Sequence, residues 1–341
     1  MALIGSINSP NAVFKNRVIN GGMNIAQRAT SFTSTSSANN DDTYTLDRWY
    51  ILSDGNDTID VTQTTTVPTG AQNSIGLDVE TINKKFGIAQ IIEASNCYDV
   101  IGGNVTLSFQ AKVSSLTKLD NVKCAIVAWS GTADTVTSDI ISAWGAEGTN
   151  PTLIANATYE NTPANLSVTT SFASYSVTAN VDTASTKNII VFIWSDVTDT
   201  TLGDFLHITN VQLESGSTAT SFDYRPYTTE LALCLRYFET NFPTGVTVGS
   251  ISLPGFVSTS TSTNAPSESQ GVQFSVKKRA IPTIVVYHIT AGTAGSVYRV
   301  GDAASVGATP THIGQSGIGF LQLASGNANG YYWNYSASAE L

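Results

Sequence analysis

Two short stretches, Cys124 to Trp129 (CAIVAW) and Asn188 to Trp194 (NIIVFIW), are almost wholly apolar and stop abruptly at Ser130-Gly131 and Ser195-Asp196. Runs of this kind read as strands covered on both faces, which places them at the centre of a sandwich. Around them the pattern changes to alternation. In Asn104 to Val113 (NVTLSFQAKV), Val105, Leu107, Phe109 and Ala111 face one way and Thr106, Ser108, Gln110 and Lys112 the other, as in a strand with one buried face. Ser171 to Val181 (SFASYSVTANV) alternates in the same way. Gly102-Gly103, Ser130-Gly131, Asp54-Gly55 and Val67-Pro68-Thr69-Gly70 mark chain reversals between such strands. Short strands with this punctuation predict an all-β fold whose main body is a β-sandwich. No internal repeat of fixed period is present, which argues against a solenoid or propeller.

Composition agrees. Only 12% of the 341 residues are charged against 41% hydrophobic, and the polar remainder is largely Thr, Ser, Asn and Gly, suited to half-buried strands. The length favours two domains. A net charge of −10, with no basic run longer than Lys277-Lys278-Arg279, would repel phosphate backbones and sets nucleic acid aside as a partner. Cys97, Cys124 and Cys234 are odd in number and widely spaced, so they read as small buried hydrophobes of a protein made in a reducing cytoplasm. The N-terminus lacks a signal-peptide pattern, and no apolar run approaches the ~20 residues needed to span a bilayer, so no membrane insertion is expected.

The exception to the strand pattern is Ser221 to Thr240 (SFDYRPYTTELALCLRYFET). Pro226 pushes Arg225 towards an extended conformation and should end the last strand of the sandwich. Thr228 can cap a helix with Glu230 in its first turn, and Leu231, Cys234, Leu235 and Phe238 follow at helical spacing up to Thr240. Asn241 to Gly245 ends it. Strand-like segments then resume at Gly271 to Val276, Pro282 to Ile289, Gly319 to Ala324 and Tyr331 to Leu341. The expected division is an arm over 1–14, a sandwich over 15–227, a connecting helix and turn over 228–242, and a small β-domain over 243–341.

Several of these segments, in order, carry a family resemblance: VINGGMNIAQRATSFT (Val18 to Thr33), YTLDRWYI (Tyr44 to Ile51), GGNVTLSFQAKVSS (Gly102 to Ser115), LHITNVQLESGSTATSFDYRPYTTELALCLRYF (Leu206 to Phe238) and the closing YYWNYSASAEL. The chain resembles bacteriophage virion proteins, the tail fibres, head fibres and structural proteins with a carbohydrate-binding-like domain. The resemblance implies a jelly-roll sandwich like that of carbohydrate-binding modules, then a C-terminal β-domain that forms trimers, on the outside of a virus particle made in the host cytoplasm. Two positions depart from the family: Gln110, and the surroundings of Phe172, stand where tryptophan is common. A sugar platform is therefore not carried over at those two places.

Catalytic patterns are lacking. His207, His288 and His312 lie on separate segments without metal-ligand spacing, and GQSGIG (Gly314 to Gly319) has Ile318 where a nucleophile elbow needs glycine. No enzymatic activity is expected. Trp129, Trp144 and Trp194 are the candidate glycan-binding residues, since each precedes or occupies a loop where a planar ring could stack on a sugar; the competing reading is that they plug the ends of the core. Asp196, Asp199 and Asp204 could offer oxygens to the structural calcium that the resemblance implies, although the segment matches no EF-hand loop and solvated carboxylates are the simpler reading. No other cofactor is expected. The helix stripe, wide for one small sandwich, and the aromatic last strand nominate Leu231, Cys234, Leu235, Phe238, Tyr331 and Trp333 for a homotrimer interface. Two functions follow: a short trimeric tail fibre or spike component that contacts host surface glycans, or a decoration or head-fibre protein that touches only other virion proteins. A polysaccharide-degrading tailspike is the third and weaker alternative.

Overall fold

The computed structural model describes residues 14–33, 39–261, 268–269, 271–324 and 329–341, so the expected arm, apart from Phe14, lies outside the described residues. The first part of the chain forms β1 (Ser31–Phe32), β2 (Tyr50–Ser53), β3 (Ile59–Thr64), β4 (Ser74–Val79), β5 (Phe86–Ile92), β6 (Asn104–Val113), β7 (Val122–Trp129), β8 (Ile141–Ala143), β9 (Thr152–Leu153), β10 (Ala157–Tyr159), β11 (Ala173–Asn180), β12 (Asn188–Ser195) and β13 (Phe205–Ser215). Two antiparallel sheets, with strand orders β1-β3-β4-β13-β6-β11 and β10-β7-β12-β5-β2, face each other as a jelly-roll sandwich. The alternation in β6 is realised: Val105, Leu107, Phe109, Ala111 and Val113 enter the inter-sheet core, with Trp49, Phe86 and Ile193.

The continuous apolar strands β7 and β12 have a second cause. Their other face carries a separate apolar cluster, built with Tyr50, Ile91, Val136, Ile140 and Leu341 and roofed by the 130–160 segment. The five-stranded sheet is therefore dry on both sides, and every residue of β7 and β12 is buried. Gly87 serves this packing, because a Cβ there would come within 2.6 Å of the Trp194 Cβ.

The helix α1 covers Tyr227–Leu235, shorter than the pattern predicts. It starts after Pro226 with no side-chain cap, so Thr228 lies inside its first turn; the Glu230 carboxylate turns to Arg225 and the backbone N–H of Asn20. Phe238 is not helical. With Glu239 and Thr240 it forms β14 (Phe238–Thr240), whose backbone is taken by the last strand of the chain. The remaining strands are β15 (Val257–Thr261), β16 (Glu268–Ser269), β17 (Val272–Gln273), β18 (Thr283–His288), β19 (Ser296–Arg299), β20 (Ser305–Gly314), β21 (Gly317–Leu323) and β22 (Asn329–Ser338). β22 is the hub, pairing with β14, β15, β18 and β19. Its alternate residues Tyr331, Trp333 and Tyr335 fill the core of this second body. The three cysteines are buried free thiols. No helix among the described residues is long and apolar enough to cross a membrane.

One acidic corner makes stability depend on pH. The Asp42 carboxyl is raised from 3.8 to about 7 by burial and by the charges of Asp41 and Asp139, and its Oδ1 is buried without a hydrogen bond. The folded state thus holds this proton more tightly than the unfolded chain, and the stability it contributes is lost as pH rises from about 4 through 7. Asp42→Asn should raise the melting temperature at pH 8 and leave it little changed at pH 4. An offset between variant and parent that is equal at both pH values would refute the assignment.

Candidate functional site

The outer face of the six-stranded sheet remains open. The residues of β6 that point away from the core, Ser108, Gln110 and Lys112, lie beside Ser174 and Ser176 of β11 on one side and Gln212, Thr209 and His207 of β13 on the other. Thr220 to Tyr224, the segment after β13, rises along this floor and encloses a cleft of about 630 Å³. The lining is hydroxyl, amide and aromatic, with no Asp, Glu, Lys or Arg.

An irregularity in β13 gives the cleft its most specific group. Between Thr209 and Gln212 the register shifts, and Asn210 takes a φ of 52°, a left-handed conformation that Asn tolerates better than most residues. Its side-chain amide donates to Gln110 Oε1 at 2.7 Å and to the Tyr224 hydroxyl at 3.3 Å, and that hydroxyl donates in turn to the Gly70 carbonyl at 2.8 Å. Asn210 is only 7% exposed, yet its Oδ1 has no donor. Asn210 thus brings a buried acceptor without a donor to the lining of the cleft, and such groups are uncommon in folded proteins. Tyr224, 55% exposed and packed edge-on against Phe222 at 4.8 Å, offers a ring beside it.

Further along the same face His207 lies 4.5 Å from the Phe205 ring and 6.5 Å from that of Phe172, over Gly76, whose missing side chain makes room for it. Burial and the adjacent Lys112 charge push the imidazole pKa down to about 4, so the ring is neutral at physiological pH. Lys112 Nζ lies 5.2 Å from the centre of the Phe205 ring and 5.8 Å from that of Phe172.

The residues nominated from sequence lie elsewhere. Trp129, Trp144 and Trp194 belong to the cluster behind the five-stranded sheet, where Trp194 stacks on Phe192 at 4.4 Å and Trp129 donates to the Thr132 carbonyl. None is more than 9% exposed, so they plug the core rather than present rings to a sugar. The three aspartates do not converge on a metal. Asp196 is fully buried between two ammonium groups, Lys85 Nζ at 2.5 Å and Lys123 Nζ at 2.6 Å. Asp199 pairs at the surface with Lys118, and Asp204 accepts from Thr201 and Ser114. No cluster of metal-ligating side chains occurs among the described residues, and this donor set does not fit calcium.

Of the six residues nominated for a subunit interface, Cys234, Phe238, Tyr331 and Trp333 are buried by the chain itself. Cys234 packs with Ile19, Ile25 and Tyr237, which supply the cover that the helix stripe calls for. Leu231 and Leu235 stay half-buried, lining a groove with Tyr227.

No protein-family model matches the chain, and no curated protein matches its sequence. Solved structures give distant likenesses. The enzymatically active domain of tailspike protein 4 of bacteriophage CBA120 aligns with 59% of this chain and 22% of its own length, at 16% identity and a TM-score of 0.34. The CBM22-1 xylan-binding domain of Paenibacillus barcinonensis Xyn10C aligns with 57% of this chain and 98% of its own, at 12% identity and 0.31. The CBM22-1 and GH10 modules of a Clostridium thermocellum endo-1,4-beta-D-xylanase align with 59% and 30%, at 13% identity and 0.32. The jelly-roll assignment rests on the strand pairing described above.

Proposed function

We propose that the chain is a structural, carbohydrate-binding protein of a bacteriophage virion, a short trimeric fibre or spike component whose sandwich holds host surface glycans in the cleft on its six-stranded sheet. The observation that carries the binding reading is the exposed Tyr224 ring beside Gln110 and the unpartnered Asn210 acceptor, on a floor of neutral hydroxyl and amide groups. Sugars are recognised by this pairing of hydrogen bonds with a planar apolar surface. A cleft lined by no carboxylate lacks the acid pair of glycoside hydrolysis, which supports binding without cleavage. The virion setting is supported by the motif resemblance, and a trimer would cover the half-buried Leu231 and Leu235.

A glycan array with purified protein tests the binding. Asn210→Ala and Tyr224→Ala should each weaken binding to the glycans that score by about tenfold, the value of one hydrogen bond or one stacked ring lost. Array binding that both variants leave intact would move the site away from this cleft, and an array without hits would end the reading. Light scattering measures the assembly, for which a stable monomer at micromolar concentration is the contrary result.

A further inference from the structure

Lys112 stands out in a chain that carries 26 acidic and 16 basic residues. It projects from the outer face of β6, in register with His207 across the β6–β13 pair, and among the described residues no carboxylate lies within ion-pair distance of it. Two acidic residues of the same sheet, Asp78 and Asp60, stand opposite each other across β3 and β4. Burial and neighbouring acids, first among them Glu80, hold both carboxyls above the usual range, and no lysine draws them down. The ammonium instead rests near two aromatic rings, which attract a cation without neutralising it. His207 beside it is neutral and adds no competing charge.

Gln110 is two residues away on the same strand, about 7 Å, so one saccharide unit can bridge from the cleft floor to the ammonium. We propose that the cleft takes an anionic saccharide, in which a charged substituent on one sugar residue pairs with Lys112 while the neighbouring residue is read by Gln110, Asn210 and Tyr224. The charge comes from a carboxylate, as in uronic or sialic acids, or from a phosphate substituent. Both offer the oxygen acceptors that an ammonium binds, and the nearby Phe205 and Phe172 rings leave the charge free to take them. This inference rests on the cleft being a glycan site.

The test is an array holding neutral, carboxylated and phosphate-substituted glycans, read with the parent protein, Lys112→Gln and Asn210→Ala. The expected result is that hits fall in the anionic classes, carboxylated and phosphorylated arms separating the two sources of charge. Lys112→Gln should lose about tenfold on them, as for one charge-assisted hydrogen bond. It should also abolish the decline of binding between 50 and 500 mM NaCl, while an unchanged melting temperature shows that the fold is intact. Asn210→Ala should weaken binding to every hit. Hits confined to neutral glycans, insensitive to Lys112→Gln but lost with Asn210→Ala, would overturn the anionic assignment and leave the cleft standing. No hits, or hits indifferent to both variants, would remove the cleft and this inference together.

Discussion

Replacing Asp196 by alanine is expected to destabilise the protein by about 3–5 kcal/mol, a large share of the ~5–15 kcal/mol that holds a domain of ordinary stability together. The carboxylate is fully buried and is the counter-charge for two ammonium groups, Lys85 at 2.5 Å and Lys123 at 2.6 Å, both themselves buried. Lys85 also donates to the carbonyls of Ala146 and Thr149, and Gly148 N–H donates to Asp196. The triad therefore pins the 144–150 turn, and with it Trp144, onto the ends of the inner strands β5, β12 and β7 of the five-stranded sheet. In the alanine variant those carbonyls still orient Lys85 but do not neutralise it, and Lys123 keeps, among the described residues, the neutral Asn150 side chain as its acceptor. Denaturant titration measures the loss, and a variant within 1 kcal/mol of the parent would show that the charges are solvated after all. Exchanging all three residues for apolar ones of similar volume should recover most of the stability, because burial of ions is itself costly. Added calcium should not shift the melting temperature of the parent; a rise would reinstate a metal at these aspartates.

That triad also shows where sequence reading succeeds and fails. The strands over Asn104–Val113, Val122–Trp129, Ala173–Asn180 and Asn188–Ser195 are legible because period and apolar continuity are local properties, and they fix the architecture. What roofs β7 and β12 is not local. Trp129 and Trp194 sit at strand ends, so a mouth position was a fair inference, but the fold of the 130–160 segment over them depends on contacts between Lys85, Lys123 and Asp196. The cleft was missed for a similar reason: its floor comes from β6, β11 and β13, and its wall from Thr220 to Tyr224. One local signal was available. In LHITNVQL the apolar-polar alternation changes phase at Asn210-Val211, with Asn where an apolar residue is due, and such a slip marks a bulge. In the C-terminal body, β20 carries Gly307 and Pro310, which hide a strand from pattern reading. The aromatic residues of β22 looked like an exposed edge because the four strands that converge on it are separated from it in sequence.

The second large effect is expected at the junction of the two bodies, from Glu340→Ala. Glu340 pairs through Oε2 with Arg48 and through Oε1, at 3.0 Å, with Arg28. Arg48 is 1% exposed, lies 3.7 Å over the Tyr237 ring and donates to the Ile91 carbonyl, so it is anchored in the sandwich but neutralised from β22's end of the chain. Around it, the Tyr44 hydroxyl donates to the Leu341 carbonyl, Arg279 holds the carbonyls of Ala339 and Glu340, and Leu341 itself packs in the cluster behind the five-stranded sheet. Removing the carboxylate leaves a buried guanidinium with one backbone acceptor, a cost of about 3–5 kcal/mol concentrated at this seam. The consequence should be a loss of coupling as well as of stability: one cooperative unfolding transition becoming two, with amide protection falling in β22 and β14 before it falls in β7 and β12. Breaking another ion pair at the junction, Arg236 with Glu93, supplies the comparison, because Arg236 is 37% exposed and an ion pair open to water contributes ~1 kcal/mol or less. Arg236→Ala should therefore keep a single transition. If Glu340→Ala also unfolds in one step with a loss no greater than that of Arg236→Ala, the two bodies are joined by their apolar contacts, and the Arg48 charge finds water rather than a partner.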